Sequence, residues 1–319
     1  MSKNHLVVFF LWVLSFSSCK KERIDLLVLQ IDTGNNYQLH DVSFLNDSVG
    51  FISGGKRYEI GVLLKTLDGG KTWTTADSII PKASFCNFFF TEAEGCIAGY
   101  DSWYAFTTDS GKTFSANTTS NYRPVNDIDF YDRQHGVRVQ GDGYTSGYIA
   151  YTDDGGYTWH DSSYINNMRA VQFTDAQTVF VCGYGVVYKS TNGGKSFFPL
   201  DVRGDFFTDL DFPSATTGYF AGYQGMILKT TDGGNSFKKI MHENTFFEKR
   251  EHFEAIKFWN ENTGYAIGDF GLMYATENGG ETWKKVVAFT DVNLRDLHLF
   301  SATSGIIAGD EGKVFLFQR

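Results

Sequence analysis

Aromatic rings and carboxylates fall together at one recurring place in this chain, the loop that follows a short apolar strand ending in glycine. In chain order the residues are Arg57, Tyr58, Tyr100, Asp101, Trp103, Asp142, Tyr144, Tyr184, Tyr223, Asp269, Phe270, Asp310 and Glu311. Flat rings beside acceptors on exposed loops suit stacking on a sugar or gripping a peptide. Two of these carboxylates facing one another across a cleft would suit acid–base cleavage of a glycosidic bond instead. Gly-Tyr steps also occur where tyrosine merely covers a sheet end, so the chemistry depends on what gathers these loops.

A second polar set sits at equivalent places in seven alternating strands: Asp41, Asn87, Asp127, Ala170, Asp209, Ala255 and Asp296. It reads either as an acidic ring lining a central channel or as short side chains satisfying backbone groups at a strand start. The two alanines break the ring without replacement charge, which favours the backbone role.

The elements that position both sets repeat. Six times the chain returns to a phrase of the form T-x-D-G-G-x-T-W, marked by Asp68, Asp109, Asp154, Asn192, Asp232 and Asn278. The intervals are roughly forty residues, which points to a propeller or solenoid of short strands. Within each phrase Asp or Asn accepts local backbone N–H groups, glycine supplies the positive φ of a tight turn, and Trp or Phe returns to the core. Before each phrase come an alternating strand, a polar turn and an apolar strand ending in glycine, as in F-T-D-L-D-F and G-Y-F-A-G (Phe207 to Gly222). This unit appears seven times, and four antiparallel strands per unit make a propeller blade.

The seventh unit ends at Arg319 before any turn or fourth strand, while Ile24 to Ile31 is a lone strand with no unit of its own. The expectation is an all-β, seven-bladed propeller over residues 24–319, closed by that amino-terminal strand in the last blade. An aromatic share of 17%, 34 glycines and only 4 prolines agree with tight turns and bulky inter-blade packing.

Ahead of the propeller, Lys3 and the apolar run Leu6–Leu14 fit a secretory leader, too short to span a bilayer. Ser17 and Ser18 before Cys19 resemble a bacterial lipobox, which implies a signal peptide over 1–18, lipidation of Cys19 and a tether over 19–23. Lys20, rather than Asp, at the second mature position favours the outer membrane, facing the periplasm or the cell surface. Ordinary secretion with a chance cysteine is the alternative. Cys86, Cys96 and Cys182 remain; Cys86 and Cys96 lie on neighbouring strands and could pair, but buried free thiols fit all three.

A net charge of −9 offers no basic stripe for nucleic acid. There is no C-x-x-C, H-E-x-x-H or dinucleotide fingerprint, so neither metal nor cofactor is expected. The histidines of the long loop starting at His242 lack metal spacing.

The T-x-D-G-G-x-T-W turns resemble the Asp-box (bacterial neuraminidase) repeats of sialidases, xyloglucanases and sortilin-type receptors. Combined with the L-x-D-V-x-F and G-x-x-x-G strands, the pattern over residues 24–319 most closely resembles photosystem II stability/assembly factor-like propellers. That resemblance implies a scaffold gripping another polypeptide, with the box aspartates structural and on the face opposite the ligand site. A sialidase would carry F/Y-R-I-P before the first box, whereas the chain's one Arg-Pro step is Arg123-Pro124 after the second. The expected function is therefore non-catalytic capture of a protein or glycan partner at the cell envelope, with a glycan-cleaving enzyme as the alternative.

Overall fold

A computed structural model describes residues 23–76, 80–118, 122–202, 204–241 and 251–319. The leader, Cys19, most of the tether and residues 242–250 of the long loop lie outside the described residues. The rest forms seven four-stranded antiparallel sheets. Their innermost strands are Gln38–Phe44, Ser84–Phe89, Val125–Phe130, Met168–Phe173, Phe207–Asp211, Phe253–Phe258 and Leu294–Ser301, which define blades 1 to 7. Among the described residues the helical pieces are three single 3-10 turns, Tyr100–Ser102, Asp269–Gly271 and Asp310–Gly312.

Closure follows the sequence expectation. Leu27–Asp32 pairs antiparallel with Lys313–Gln318, from Leu27 opposite Gln318 to Asp32 opposite Lys313, as the outer strand of blade 7. Ile24 sits ahead of that strand as an isolated bridge to Val286 of blade 6. The carboxy-terminal strand thus gains a partner where it would otherwise present an open edge.

Blades pack through aromatic pairs at one repeated position. Phe51 of blade 1 stacks on Phe89 of blade 2 with centroids 3.5 Å apart, and Tyr219 of blade 5 stacks on Phe258 of blade 6 at 3.5 Å. Phe180 and Phe212 pair the same way at 4.2 Å. The glycine that opens the second strand of blades 1, 2, 3, 5 and 6 makes room for the ring at the end of the first strand: a Cβ on Gly50 would stand 2.6 Å from the Phe44 ring.

The boxes hold their turns with side chains. In the first, Thr66 Oγ1 accepts from the Gly70 amide at 2.9 Å, while Asp68 accepts from the Thr72 amide at 2.9 Å and its hydroxyl at 2.7 Å. These bonds from Thr72 hold the Asp68 carboxyl down at about 2. Where the box carries Asn192 or Asn278, the amide nitrogen donates to Ser196 or Thr282 instead, at 2.9 Å. Each box also bonds to the turn between its blade's first and second strands, as Gly69 N does to Ser48 O at 3.0 Å. Both turns therefore share one face of the disc. In blade 7, which has no box, Arg319 N donates to Thr303 O at 2.8 Å in the same role.

Register decides the cysteines. Cys86 lies opposite Ala98 and Cys96 opposite Phe88, so the two thiols are diagonal neighbours, a spacing longer than a disulfide prefers. All three described cysteines are free and buried.

Candidate binding rim and channel mouth

Every innermost strand carries a one-residue bulge near its start. The register skips between Leu39 and Asp41, Ser84 and Cys86, Val125 and Asp127, Met168 and Ala170, Phe207 and Asp209, Phe253 and Ala255, and Leu294 and Asp296. The extra residues are His40, Phe85, Asn126, Arg169, Thr208, Glu254 and Arg295, and all seven line one axial cavity of about 240 Å³. A bulge re-aims its side chain away from the pleat. Sequence reading missed this ring, although it had a signal: one position inside an otherwise repeating apolar pattern that itself does not repeat.

The bulge also corrects the second ring. Cys86, not Asn87, stands in register with Asp41; Asn87 matches Val42 one residue later. The ring is therefore Asp41, Cys86, Asp127, Ala170, Asp209, Ala255 and Asp296. Carboxyl groups alternate with small uncharged residues, and each laces its blade to the next. The Asn87 amide donates to Asp41 at 2.6 Å, Val171 to Asp127 at 2.8 Å, Ile256 to Asp209 at 2.8 Å and Val42 to Asp296 at 2.8 Å. These carboxyl groups satisfy the following blade's backbone, Asp127 and Asp209 also accept from the next amide of their own strand (Ile128 and Leu210, 2.8 Å each), and they line the channel as well. Alternation cannot survive an odd number of blades, so blades 7 and 1 place Asp296 beside Asp41. Burial and then Asp296 push Asp41 well above the ordinary carboxylate range. Although burial alone would lower it, Lys257 in the same cavity is pushed up by Asp209, Asp211, Asp296 and Asp127.

This ring makes stability pH-dependent. Burial raises Asp127 from 3.8 to about 8, so above pH 4 the native state keeps a proton that the unfolded chain releases, and stability falls as pH rises toward 8. His40 and His298, lowered by burial to about 3 and about 4, act in the opposite sense but only up to the free value of 6.5. Between pH 6.5 and 8 the fall is therefore expected unopposed by them, at about 1.4 kcal/mol per pH unit per retained proton. Urea midpoints at the two pH values measure it. Asp127→Asn, which keeps an acceptor for Val171, is expected to flatten the slope, and an unchanged slope contradicts the assignment.

The loop residues occupy the rim around this mouth, opposite the boxes. On blades 1 and 2, Tyr58 and Tyr100 meet edge to face at 4.3 Å, Tyr100 meets Phe85 at 5.7 Å, and Phe85 meets His40 at 4.9 Å. This file descends from exposed Tyr58 into the channel, and it corrects the expectation for Tyr100, which is buried beneath Tyr58 rather than exposed on the loop. Arg57 donates to the Tyr100 hydroxyl and lies over its ring at 4.9 Å. On blades 3 to 6 a second file runs along the rim. Tyr144 meets Tyr184 at 5.0 Å, Tyr184 meets Phe206 at 5.4 Å, Phe206 meets Tyr223 at 6.5 Å, and Tyr223 stacks on His252 at 4.0 Å.

Arg169 stands between the two files. It lines both the axial cavity and a side cavity of about 250 Å³ that also holds Arg57, Tyr100 and Asp142. Its guanidinium lies 5.9 Å from the Phe206 ring, and its buried Nε has no hydrogen-bond partner. Arg295 differs: it is held bidentately by Asp310 at 2.9 Å and lies 3.3 Å from Glu254.

Other loop residues separate from the site or serve it locally. Trp103 corrects the rim reading: it opens the third strand of blade 2 and is buried in the core shared with blade 1. Asp101 pairs with Lys82 at 2.6 Å, and Asp142 caps the Gly143 amide at 2.9 Å. Asp269 opens the 3-10 turn that presents Phe270, and Glu311 pairs with Lys313 at 3.1 Å. Phe270 is 65% exposed yet adopts φ +55°, a left-handed conformation costly for a bulky residue. Phe270→Gly is accordingly expected to stabilise the propeller by about 1 kcal/mol in thermal unfolding. A destabilised variant contradicts the strain.

The family model described as photosynthesis system II assembly factor YCF48 matches residues 22–126 and 198–295, more than half of the chain. The BNR/Asp-box repeat model matches residues 150–161. No curated protein matches. Among solved structures, YCF48 bound to D1 peptide is similar at 18% identity and a TM-score of 0.71, over 92% of this chain and 95% of that one. YCF48 from Cyanidioschyzon merolae is similar at 18% identity and a TM-score of 0.70, over 91% and 98%. An ancestral GH74 enzyme is similar at 14% identity and a TM-score of 0.68, over 89% of this chain and 45% of that one.

Proposed function

Because the chain belongs to the photosynthesis system II assembly factor YCF48 family, we propose that it is a non-catalytic propeller that captures a polypeptide segment across its rim. The observation that carries the reading is Arg169, a cation without an ion-pair partner among the described residues, set where two cavities join between two files of aromatic rings. An extended segment lying from Tyr58 toward Tyr223 would stack on the rings and place a carboxylate against Arg169. That a YCF48 structure holds a D1 peptide supports a peptide as the occupant class.

The non-catalytic side of the proposal rests on how the carboxylates are used. Asp310 is clamped by Arg295, Asp101 by Lys82, and the channel carboxyl groups by backbone amides. Glycosidic cleavage needs two carboxyl groups free to face a sugar. We place the protein at the cell envelope as an outer-membrane lipoprotein anchored through Cys19, on the lipobox-like Ser17-Ser18-Cys19 sequence.

Calorimetric titration of the purified protein with acidic peptides and with β-glucan oligosaccharides tests the function. Peptide binding without release of reducing ends is expected. Release of reducing ends, or oligosaccharide binding with no peptide binding, overturns it.

A further inference from the structure

The outer strands of the blades differ in a way the rim function does not use. Those of blades 1 to 4 are Thr74–Thr75, Ser115–Thr118, His160–Tyr164 and Phe198–Pro199, and they carry no lysine. The next two, Lys238–Met241 and Lys284–Lys285, carry four lysines. The closing strand of blade 7 then exposes Leu27 by 79% and Leu29 by 60%. These leucines, with Phe300, Leu316 and Phe317, line a groove of about 410 Å³ that contains no charged residue. Leu29 lies opposite Leu316, which packs against the core shared with blade 1. Blade 1's two-residue outer strand is too short to cover the groove.

We infer that this edge, from the lysines of blades 5 and 6 to the leucines of blade 7, is a docking surface for the bilayer that carries the anchor. Three observations select lipid over another occupant. Although the chain's net charge is −9, the lysines borne on described outer strands all fall in this sector. Of the acidic groups in it, Glu251 pairs with Lys285 and Glu277 pairs with Arg319, Asp232 and Glu281 lie in the boxes, and Asp25 and Asp32 flank the leucines. Cationic side chains beside exposed leucines match an anionic interface with an apolar interior. Finally, the chain ahead of the edge reads Cys19-Lys-Lys-Glu-Arg23 and is docked at Ile24 on blade 6. A lipid on Cys19 would therefore be tethered within at most about 18 Å of the edge. In this respect the inference rests on the lipidation of Cys19 proposed above.

Docking here also orients the site. The closing strand starts beside Gln318, at the box face, and reaches the rim only at Lys313. The anchor thus enters from the box side of the edge, leaving the rim with its aromatic files uncovered by the membrane.

Photo-crosslinking tests the surface with the full chain. The protein is purified with its leader processed by the host and reconstituted in vesicles of phosphatidylethanolamine and phosphatidylglycerol containing a diazirine phospholipid. Adducts are mapped by mass spectrometry, and the same digest reports acylation of Cys19 independently. Adducts on Leu27–Asp32 and on Lys238–Lys239 are expected at about five times the yield of those on Tyr144–Tyr184. Leu27→Lys with Leu29→Lys, at unchanged melting temperature, is expected to remove the strand adducts. Adducts spread evenly, adducts on the rim, or a Leu27–Leu29 strand cross-linked to a second copy overturn the inference. An unmodified Cys19 with adducts still on the strand supports the surface while removing the anchor.

Discussion

A chain lacking the closing strand, residues 24–32, is expected to lose the monomeric propeller altogether. Six cross-strand positions between Leu27 and Asp32 disappear, and Ile31 leaves a buried cluster that joins blades 7 and 1. The same deletion bares the whole edge of Lys313–Gln318, whose Val314, Phe315 and Phe317 are core residues. The cost is on the order of 5 kcal/mol, comparable with the total stability of a domain, and the bared edge is a template for association. Size-exclusion chromatography with light scattering reads the outcome as aggregation, together with loss of a cooperative thermal transition. A monomer with an unchanged transition would mean that the ring closes without this strand. Adding a synthetic peptide of residues 24–33 to the truncated chain is expected to restore part of the transition.

The second large effect concerns the rim. Arg169→Ala is expected to weaken capture of an acidic peptide by about thirtyfold, or about 2 kcal/mol, because the peptide carboxylate is left without its cation in a partly enclosed mouth. The fold should not respond, since Arg169 holds no ion pair with the rest of the described chain. Arg169→Lys is expected to recover only part of the affinity, keeping the charge but losing the forked donors and the contact with Phe206. Arg295→Ala would be a poor probe, because it releases Asp310 and Glu254 within the channel mouth and disturbs the structure itself. Titration with one peptide, across the Ala and Lys variants and at two salt concentrations, separates charge from packing.

Much of the architecture was legible because it is repetitive. The box phrase fixes a turn through local bonds, as Thr66, Asp68 and Thr72 show, so each copy could be read alone. The lone segment at Ile24 to Ile31 and the missing fourth strand after Val314 foretold the closure, although the regular strand begins at Leu27. The site was legible only in part. Counting along strands placed Asn87 in the carboxyl ring, because a bulge adds a residue that alternation cannot reveal. Trp103 was assigned to the rim because the 3-10 turn Tyr100–Ser102 occupies the loop before it, leaving Trp103 to start a buried strand. The aromatic files join rings from different blades, such as Tyr184 and Phe206, and exist only once the circle is closed. Likewise, the pairing of Asp41 with Asp296 follows from an odd number of blades rather than from either residue's neighbours in sequence.

Hydrogen exchange of the propeller with and without a bound acidic peptide tests the capture site most directly. Slower exchange is expected in the rim hairpins around Tyr58, Tyr100, Tyr144, Tyr184 and Tyr223 and in the bulged strand at Arg169, with the boxes from Asp68 to Asn278 unaffected. Protection confined to the box face, or spread along the outer strands with the rim unchanged, would contradict a partner held across the channel mouth.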